Sequence, residues 1–231
     1  MIEARSLVKA YGGVPVLRGV SVFARRGEVT CIVGPNGSGK TTLLRILALL
    51  EKPDSGEVLY DGVVPASSEQ VARVKAKTAY VPQRAHALSM SVYSNVYLAL
   101  RSRGVPPQEA SRRAEEALKV FGLYEARRKS ALSLSGGQRQ LLSVARALAL
   151  QPEYMLLDEP TSNLDSERAA LVLKLLKSFA REEGAAVILV THRVAEAREI
   201  ADRTFILLSG RVVAALDGAP EGEELEKWLG G

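Results

Sequence analysis

The feature that most constrains this chain is a glycine-rich turn between a strand pattern and a helix pattern. Residues 34–41 read Gly-Pro-Asn-Gly-Ser-Gly-Lys-Thr, the spacing G-x-x-x-x-G-K-[ST]. The preceding run Val29–Val33 is apolar or β-branched and predicts a buried strand, while Thr41–Leu47 has apolar residues at helical spacing. Such a turn directs several backbone N–H groups and the positive end of a helix at one point. The sequence therefore predicts a phosphate-binding loop.

Within this phosphate loop (residues 34–41), glycines permit positive φ and close approach of the backbone to an anion. Lys40 can reach the β- and γ-phosphates of a nucleotide, and the Thr41 hydroxyl can ligate Mg²⁺. A glycine turn that merely links strand to helix is the alternative, and the Lys-Thr pair after the last glycine disfavours it. The candidate nucleotide-binding residues here are Gly34, Pro35, Asn36, Gly37, Ser38, Gly39, Lys40, Thr41 and Thr42.

A second apolar run, Tyr154–Leu157, ends in the two acids Asp158 and Glu159. In an open parallel sheet, ligands bind outside the carboxyl ends of the strands, where both acids would project. Asp158 can hold Mg²⁺ through a water, and Glu159 can polarise an attacking water as a general base. Two surface acids at a strand end are the alternative, which is the poorer interpretation in a chain with a phosphate loop.

The segment Leu134–Gln138, here called the serine–glycine segment, begins a predicted helix. Ser135 is a favourable N-cap type, and Gly136 and Gly137 leave the first N–H groups of the helix open to an anion. An ordinary capped helix start is the alternative. The segment is therefore a candidate second anion site.

Strand and helix patterns alternate along the chain, which predicts an α/β fold with a mainly parallel sheet and helices on both faces. We expect a single domain over residues 1–231, with an N-terminal antiparallel β subdomain and an inserted helical subdomain at 84–148. Residues 221–231 predict a short polar helix in which Trp228 packs. The other predicted elements are short strands within 3–28, strands at 57–60, 78–81 and 187–190, a hairpin at 205–213, and helices at 92–100, 109–121, 135–150 and 167–181.

Composition excludes several classes of protein. With 231 residues, 47% of them hydrophobic, the chain can build a core without disulfides, and its single cysteine cannot form an internal one. There is no apolar run of membrane-spanning length and no secretory signal pattern, so we expect a cytoplasmic location. The net charge of +5 is spread along the chain, and the densest cluster, Arg127–Lys129, has no stacking aromatics beside it. Nucleic acid is therefore not an expected partner. Two histidines and one cysteine give no zinc set.

Taken in order, these motifs resemble the nucleotide-binding subunit of ATP-binding cassette (ABC) transporters, nearly from end to end. The resemblance also covers Gln83 after a strand, the segment Ser162–Asp165, and Thr191-His192 after the next strand. Two positions depart from the commonest pattern: Arg193 stands where Asp or Asn is frequent, and Leu141 where arginine is common.

The resemblance implies an ATPase whose cofactors are ATP and Mg²⁺. Tyr11 would stack on the adenine, and Gln83 would contact Mg²⁺ and sense the γ-phosphate. His192 would hold Glu159, the water and the γ-phosphate in register, and Asp165 would link two sites. The implied catalytic residues are Lys40, Gln83, Glu159 and His192. The nucleotide-binding residues are those of the phosphate loop, Thr42 and Tyr11, together with Ser135, Gly136, Gly137, Gln138 and Asp165. The implied metal ligands are Thr41, Gln83 and Asp158.

The resemblance further implies a head-to-tail dimer in which each ATP lies between one copy's phosphate loop and the serine–glycine segment of a second copy or a paralogue. Separate transmembrane permease subunits would dock on residues 84–105, with the chain peripheral on the inner face of the cell membrane. The compact length without fused membrane helices favours an importer that works with an extracytoplasmic solute-binding protein, and a lipid or peptide exporter with separate subunits is the alternative. A soluble ABC-type ATPase without a permease, as in iron–sulfur cluster assembly, is the alternative. A P-loop kinase is a third class, against which Leu134–Gln138 and His192 argue.

Overall fold

A computed structural model describes residues 1–219 of the chain. The predicted helix over residues 221–231, including Trp228, lies outside the described residues. The strands are β1 (Ile2–Tyr11), β2 (Val14–Ala24), β3 (Val29–Val33), β4 (Ser55–Tyr60), β5 (Thr78–Val81), β6 (Tyr154–Asp158), β7 (Ala186–Thr191), β8 (Arg203–Leu208) and β9 (Arg211–Asp217). The helices are α1 (Lys40–Leu47), α2 (Ser68–Ala76), α3 (Val92–Ser102), α4 (Pro107–Val120), α5 (Gly136–Ala149), α6 (Ser166–Glu183) and α7 (Val194–Ile200).

Two sheets form the strand framework. One has three strands in the order β2-β1-β4, and both pairings are antiparallel. The other has six strands in the order β5-β6-β7-β3-β8-β9, in which β6, β7, β3 and β8 pair in parallel and β9 pairs antiparallel to β8. The predicted α/β class, with a mainly parallel sheet and an N-terminal antiparallel sheet, is confirmed.

The register of the central strands aligns the ends that carry the predicted motifs. Val33 pairs with Thr191 across β3 and β7, and Asp158 pairs with Val190 across β6 and β7. Every residue of these three strands is buried, as expected for a parallel sheet covered on both faces. Because the three strands end together, Gly34, Glu159 and His192, which follow them, lie at one edge of the sheet.

The chain divides into two compact units. The first comprises Met1–Tyr80, Glu153–Glu159 and the described residues from Leu173 onward, and it contains both sheets. Its hydrophobic core is formed by buried side chains of α1 and of both sheets, including Ile2, Leu7, Leu17, Ile32, Leu43, Leu44, Leu156 and Ile188.

The second unit comprises Val81–Pro152 and Pro160–Val172. Helices α3, α4 and α5 pack together in it and bury Val96, Leu100, Ala114, Leu118 and Leu142. A buried amide fixes the loop before α3, since Asn95 Oδ1 accepts from the Leu88 N–H at 2.8 Å and Asn95 Nδ2 donates to the Ser91 carbonyl at 2.9 Å. Each helix described up to residue 219 is too short or too polar to span a bilayer.

Candidate active site

The phosphate loop ends at an open helix start. Gly39, the N-cap residue of α1, has φ 103° and has no side chain with which to cap the helix. Gly37 also lies in the left-handed region, at φ 81°. The first N–H groups of α1 are thus left without a side-chain acceptor from the cap position, which suits an anion.

Gly34 is required because a side chain would not fit at this position. The expected reason, a positive φ, does not apply to it. A Cβ on Gly34 would lie 2.1 Å from the Leu207 carbonyl oxygen and 2.8 Å from Ser38 Oγ. Gly39 is crowded as well, since its Cβ would lie 2.9 Å from Leu17 Cδ2. The loop is therefore packed closely against β8 and β2.

Lys40 is buried with its ammonium turned back onto the loop. Its Nζ donates to the carbonyl oxygens of Gly34 at 2.8 Å and Pro35 at 2.9 Å. Burial lowers the pKa of Lys40, while the carboxylates of Glu159 and Asp158 oppose that shift. Ser38 Oγ is buried and has no hydrogen-bond partner among residues 1–219. An entering phosphate would supply both side chains with anionic oxygens.

Asp158 lies at the end of β6 in a buried position. Burial raises the pKa of Asp158, the neighbouring Glu159 carboxylate adds to the rise, and a hydrogen bond with Thr41 and the charge of Lys40 oppose it. Its Oδ2 is buried and without a hydrogen-bond partner within the described part of the chain. A carboxylate beside a hydroxyl offers the hard oxygen ligands that Mg²⁺ prefers, so Asp158 and Thr41 fit such an ion.

Glu159 has a strained backbone and a fixed side chain. Its φ is +46°, a region that non-glycine residues rarely adopt. Its N–H donates to the Val190 carbonyl at 3.0 Å, and its Oε1 lies 2.9 Å from His192 Nδ1. Because a carboxylate only accepts, the bond requires the Nδ1–H form of the imidazole. The Glu159 side chain is 7% exposed and that of His192 42%, so a buried acid is paired with a partly exposed imidazole.

The Tyr11 side chain is contacted at its hydroxyl by Glu51 and at its ring by the Lys9 ammonium. The hydroxyl donates to Glu51 Oε1. Lys9 Nζ lies 5.5 Å from the centre of the ring. With 46% of the residue exposed, the ring can stack on a flat ligand beside α1.

The serine–glycine segment lies in the second unit, where Ser135 is the N-cap residue of α5. The Gln138 N–H donates to Ser135 Oγ at 3.2 Å, and the Ser135 N–H donates to Gln138 Oε1 at 3.0 Å, which completes a capping box. Because Ser135 Oγ acts as the acceptor in this bond, its own hydrogen remains available to an anion.

The segment Ser162–Asp165 approaches α5 closely within the same unit. A Cβ on Gly137 would lie 2.9 Å from the Asn163 carbonyl oxygen, so only glycine fits there without movement. Asp165 accepts from the Arg168 N–H at 2.9 Å and caps the first turn of α6. Gln83, in the same unit, is exposed on the loop just after β5.

The predicted site residues thus form two sets, one in each unit. The first unit brings together the phosphate loop with Thr42 and Tyr11, and Glu159 with His192. The second brings the serine–glycine segment to the loop that carries Asp165. Three residues beside the first set were missed from the sequence: Lys9 and Glu51, which contact Tyr11, and Glu196, which binds both neighbours of His192. Lys9 and Glu51 are far apart in sequence and give no local signal, whereas Glu196 follows His192 by one helical turn.

Comparisons with known proteins agree with this geometry. Residues 17–162 match the family model described as ABC transporter. The methionine import ATP-binding protein MetN of Mesorhizobium japonicum is 40% identical over 92% of this chain, which spans 59% of that relative's length. The arginine transport ATP-binding protein ArtM of Bacillus subtilis is 38% identical over 96% of this chain and 92% of its own length.

Solved structures give the same result. A dimeric structure of a post-hydrolysis state of the ATP-binding cassette MJ0796, bound to ADP and Pi, is 32% identical with a TM-score of 0.87. The match covers 94% of this chain and 98% of that one. The fold, the motifs and these similarities together establish that the chain belongs to the ABC transporter family.

Proposed function

We propose that this chain is the ATP-hydrolysing subunit of an ABC importer and that both units belong to one ATPase domain. The observation that carries the proposal is the 2.9 Å contact between Glu159 and His192, one strand away from an open phosphate loop. A buried acid held by an imidazole beside a phosphate site is suited to activating water.

In the proposed site, the N–H groups of the phosphate loop and Lys40 bind the phosphates of ATP, and Tyr11 stacks on the adenine. The open start of α1 and the Ser38 hydroxyl, which has no partner among residues 1–219, support this role. Thr41 and Asp158, with Gln83, would hold Mg²⁺, which supplies positive charge to the phosphate oxygens. The buried Oδ2 of Asp158, without a hydrogen-bond partner in the described part of the chain, supports its place in that set.

Hydrolysis then depends on Glu159 as the general base. Glu159 accepts a proton from the water that attacks the γ-phosphorus, and the bond from that phosphorus to the β–γ bridging oxygen breaks. His192 keeps the carboxylate oriented through Nδ1, while Lys40 stabilises charge on the phosphate oxygens.

A second copy completes the site in this proposal. Ser135, Gly136 and Gly137 of the partner copy would bind the γ-phosphate from the opposite side, with Gln138 fixing Ser135 and Asp165 linking the two sites. The available Ser135 hydroxyl hydrogen supports this arrangement, as does the similarity to a dimeric cassette. Hydrolysis would remove γ-phosphate contacts and release the dimer.

The relatives' names support an amino acid as the cargo of the transporter, since they specify methionine import and arginine transport. We propose that permease subunits dock on residues 84–105 at the cytoplasmic face of the membrane, with an extracytoplasmic binding protein delivering the solute. Exposed Leu88 and Leu98 offer apolar surface on that segment. The similarity to import subunits favours this over a soluble cassette ATPase.

The test is to replace Glu159 by Gln and to measure both phosphate release and amino-acid uptake. We expect Glu159→Gln to retain ATP binding and to lose about 100-fold or more in turnover, because a general base contributes at least that much. Cells that carry the variant in place of the native chain should lose uptake of methionine or arginine. Glu182→Gln, at an exposed acid of α6, is the matched control. Unchanged turnover would refute the hydrolytic role, and lost turnover with normal uptake would support the soluble ATPase.

A further inference from the structure

The side chains of the two residues that flank His192 bind one carboxylate. Glu196, in the first turn of α7, accepts from the Thr191 hydroxyl through Oε2 at 2.7 Å. Its other oxygen, Oε1, accepts from Arg193 Nη1 at 3.1 Å. Both oxygens of Glu196 are therefore bound by the two residues that flank the histidine.

The same turn is closed by a second bond. Thr191 Oγ1, which donates its hydrogen to Glu196, accepts from the Arg193 N–H at 2.9 Å. The Thr191 carbonyl accepts from the Gly34 N–H at 3.3 Å, at the start of the phosphate loop. The residue before His192 is thus anchored to the phosphate loop on one side and to α7 on the other.

Because Glu196 and Thr191 are buried, their polar groups need hydrogen-bond partners within the protein. The Glu196 side chain is 7% exposed, and Thr191 is also buried. A buried carboxylate is costly unless it is paired and hydrogen-bonded, so losing Glu196 would leave the Thr191 hydroxyl and the Arg193 guanidinium without their shared acceptor. Arg193 has a specific partner here, which explains a basic side chain at this position.

We infer that Glu196 is a positioning residue for His192, fixing the turn 191–193 so that Nδ1 meets Glu159. This inference rests on the proposed function, because it concerns the histidine of the same site. Glu196 binds the side chains of Thr191 and Arg193, so it acts through the turn that carries His192. Its loss should free the imidazole to leave Glu159, which lowers kcat and leaves the KM for ATP nearly unchanged.

The test compares Glu196→Ala and the isosteric Glu196→Gln with Glu199→Gln, an exposed acid on the same helix. We expect kcat to fall at least tenfold in Glu196→Ala and to fall less in Glu196→Gln, whose amide oxygen can still accept from Thr191. The KM for ATP should stay within about twofold, which corresponds to less than a 0.5 kcal/mol change in binding. Glu199→Gln should match the wild type.

A nuclear magnetic resonance spectrum of the imidazole groups separates positioning from general damage. The chain has only two histidines, His86 and His192, so each imidazole signal can be assigned. Glu196→Gln should move the His192 signal and leave the His86 signal in place. A fall in kcat without movement of the His192 signal, or unchanged kcat in both variants, would overturn the inference. A wild type that does not hydrolyse ATP would instead contradict the proposed function, and the His192 signal would still test the positioning.

Discussion

At the scale of single residues, two adjacent acids occupy very different environments. Asp158 is buried, has a raised pKa and has one oxygen that no group up to residue 219 binds, whereas Glu159 has a strained backbone and is bound by His192. Both positions therefore lower the stability of the folded protein, as residues of functional sites commonly do. The motif predicted which residues meet here, but neither the strain nor the free oxygen is visible in the sequence.

Asp158→Asn should raise the stability of the nucleotide-free protein at pH 7. Because the pKa of Asp158 is raised on folding, the folded state binds the proton more tightly. Asp158 therefore stabilises the folded protein below the pKa of its side chain in the unfolded state, about 3.9. This stabilisation is lost as the pH rises through the pKa of the same side chain in the folded state. At pH 7 the charge is a net cost, so the variant should melt higher, by about 2–4 °C for each kcal/mol recovered. Thermal melts at pH 7 and near pH 4 check this; an equal or lower Tm at pH 7 would contradict it.

Tyr11→Ala should weaken ATP binding through the base alone. Stacking of a base on an aromatic ring contributes about 1–3 kcal/mol, which corresponds to roughly 5- to 150-fold in Kd. Tyr11→Phe should bind nearly as the wild type does, since the ring is kept. Calorimetry with ATP and with tripolyphosphate, which has no base, provides the measurement. If the alanine variant weakens both ligands equally, Tyr11 does not stack on adenine.

At the scale of elements, the hairpin turn between β8 and β9 braces the phosphate loop. The Gly210 N–H donates to the Ser38 carbonyl at 3.0 Å, and the Gly210 carbonyl accepts from the Arg18 N–H at 2.8 Å. A Cβ on Gly210 would lie 2.2 Å from the Val16 carbonyl oxygen, and the residue has φ +75°. The loop's shape therefore depends on a turn that is distant from it in sequence.

Gly210→Ala should lower both stability and ATP affinity. The left-handed φ alone costs about 1–2 kcal/mol with a side chain, and the clash with β2 adds to it. Gly62→Ala is the matched control, because Gly62 also has positive φ, +81°, but open space around its Cβ. Urea unfolding and ATP titration should show a stability loss in both variants and an affinity loss in Gly210→Ala alone. Equal ATP affinity in the two would mean that the turn does not support the loop.

Elements with strong local patterns were predictable, and the others were not. The strands and the long helices α3 to α6 follow from apolar runs and helical spacing. Helix α2 buries none of its residues, and α7 has only seven, so neither has an apolar stripe that a pattern search would find. The capping box of Ser67 and Gln70 was the one available signal for α2. The strand order β5-β6-β7-β3-β8-β9 depends on long-range packing, which no local sequence pattern indicates.

At the scale of the whole molecule, the proposed function requires ATP to join two copies. Each copy carries a formal net charge of +5, so two copies repel at neutral pH. ATP brings negative charge, which a phosphate loop and a serine–glycine segment from different copies would share. Any ligand that binds only the associated form stabilises it by mass action. Association should therefore require ATP, and hydrolysis should end it.

The most direct measurement is the mass in solution of the Glu159→Gln variant, with and without Mg-ATP, by light scattering after size-exclusion chromatography. We expect a monomer without nucleotide and a dimer with ATP, because the trapped γ-phosphate keeps both copies bound. Adding Ser135→Arg should return the ATP-bound variant to a monomer while mononucleotide binding persists. A monomer in saturating Mg-ATP, or a dimer that Ser135→Arg leaves intact, would contradict the shared site.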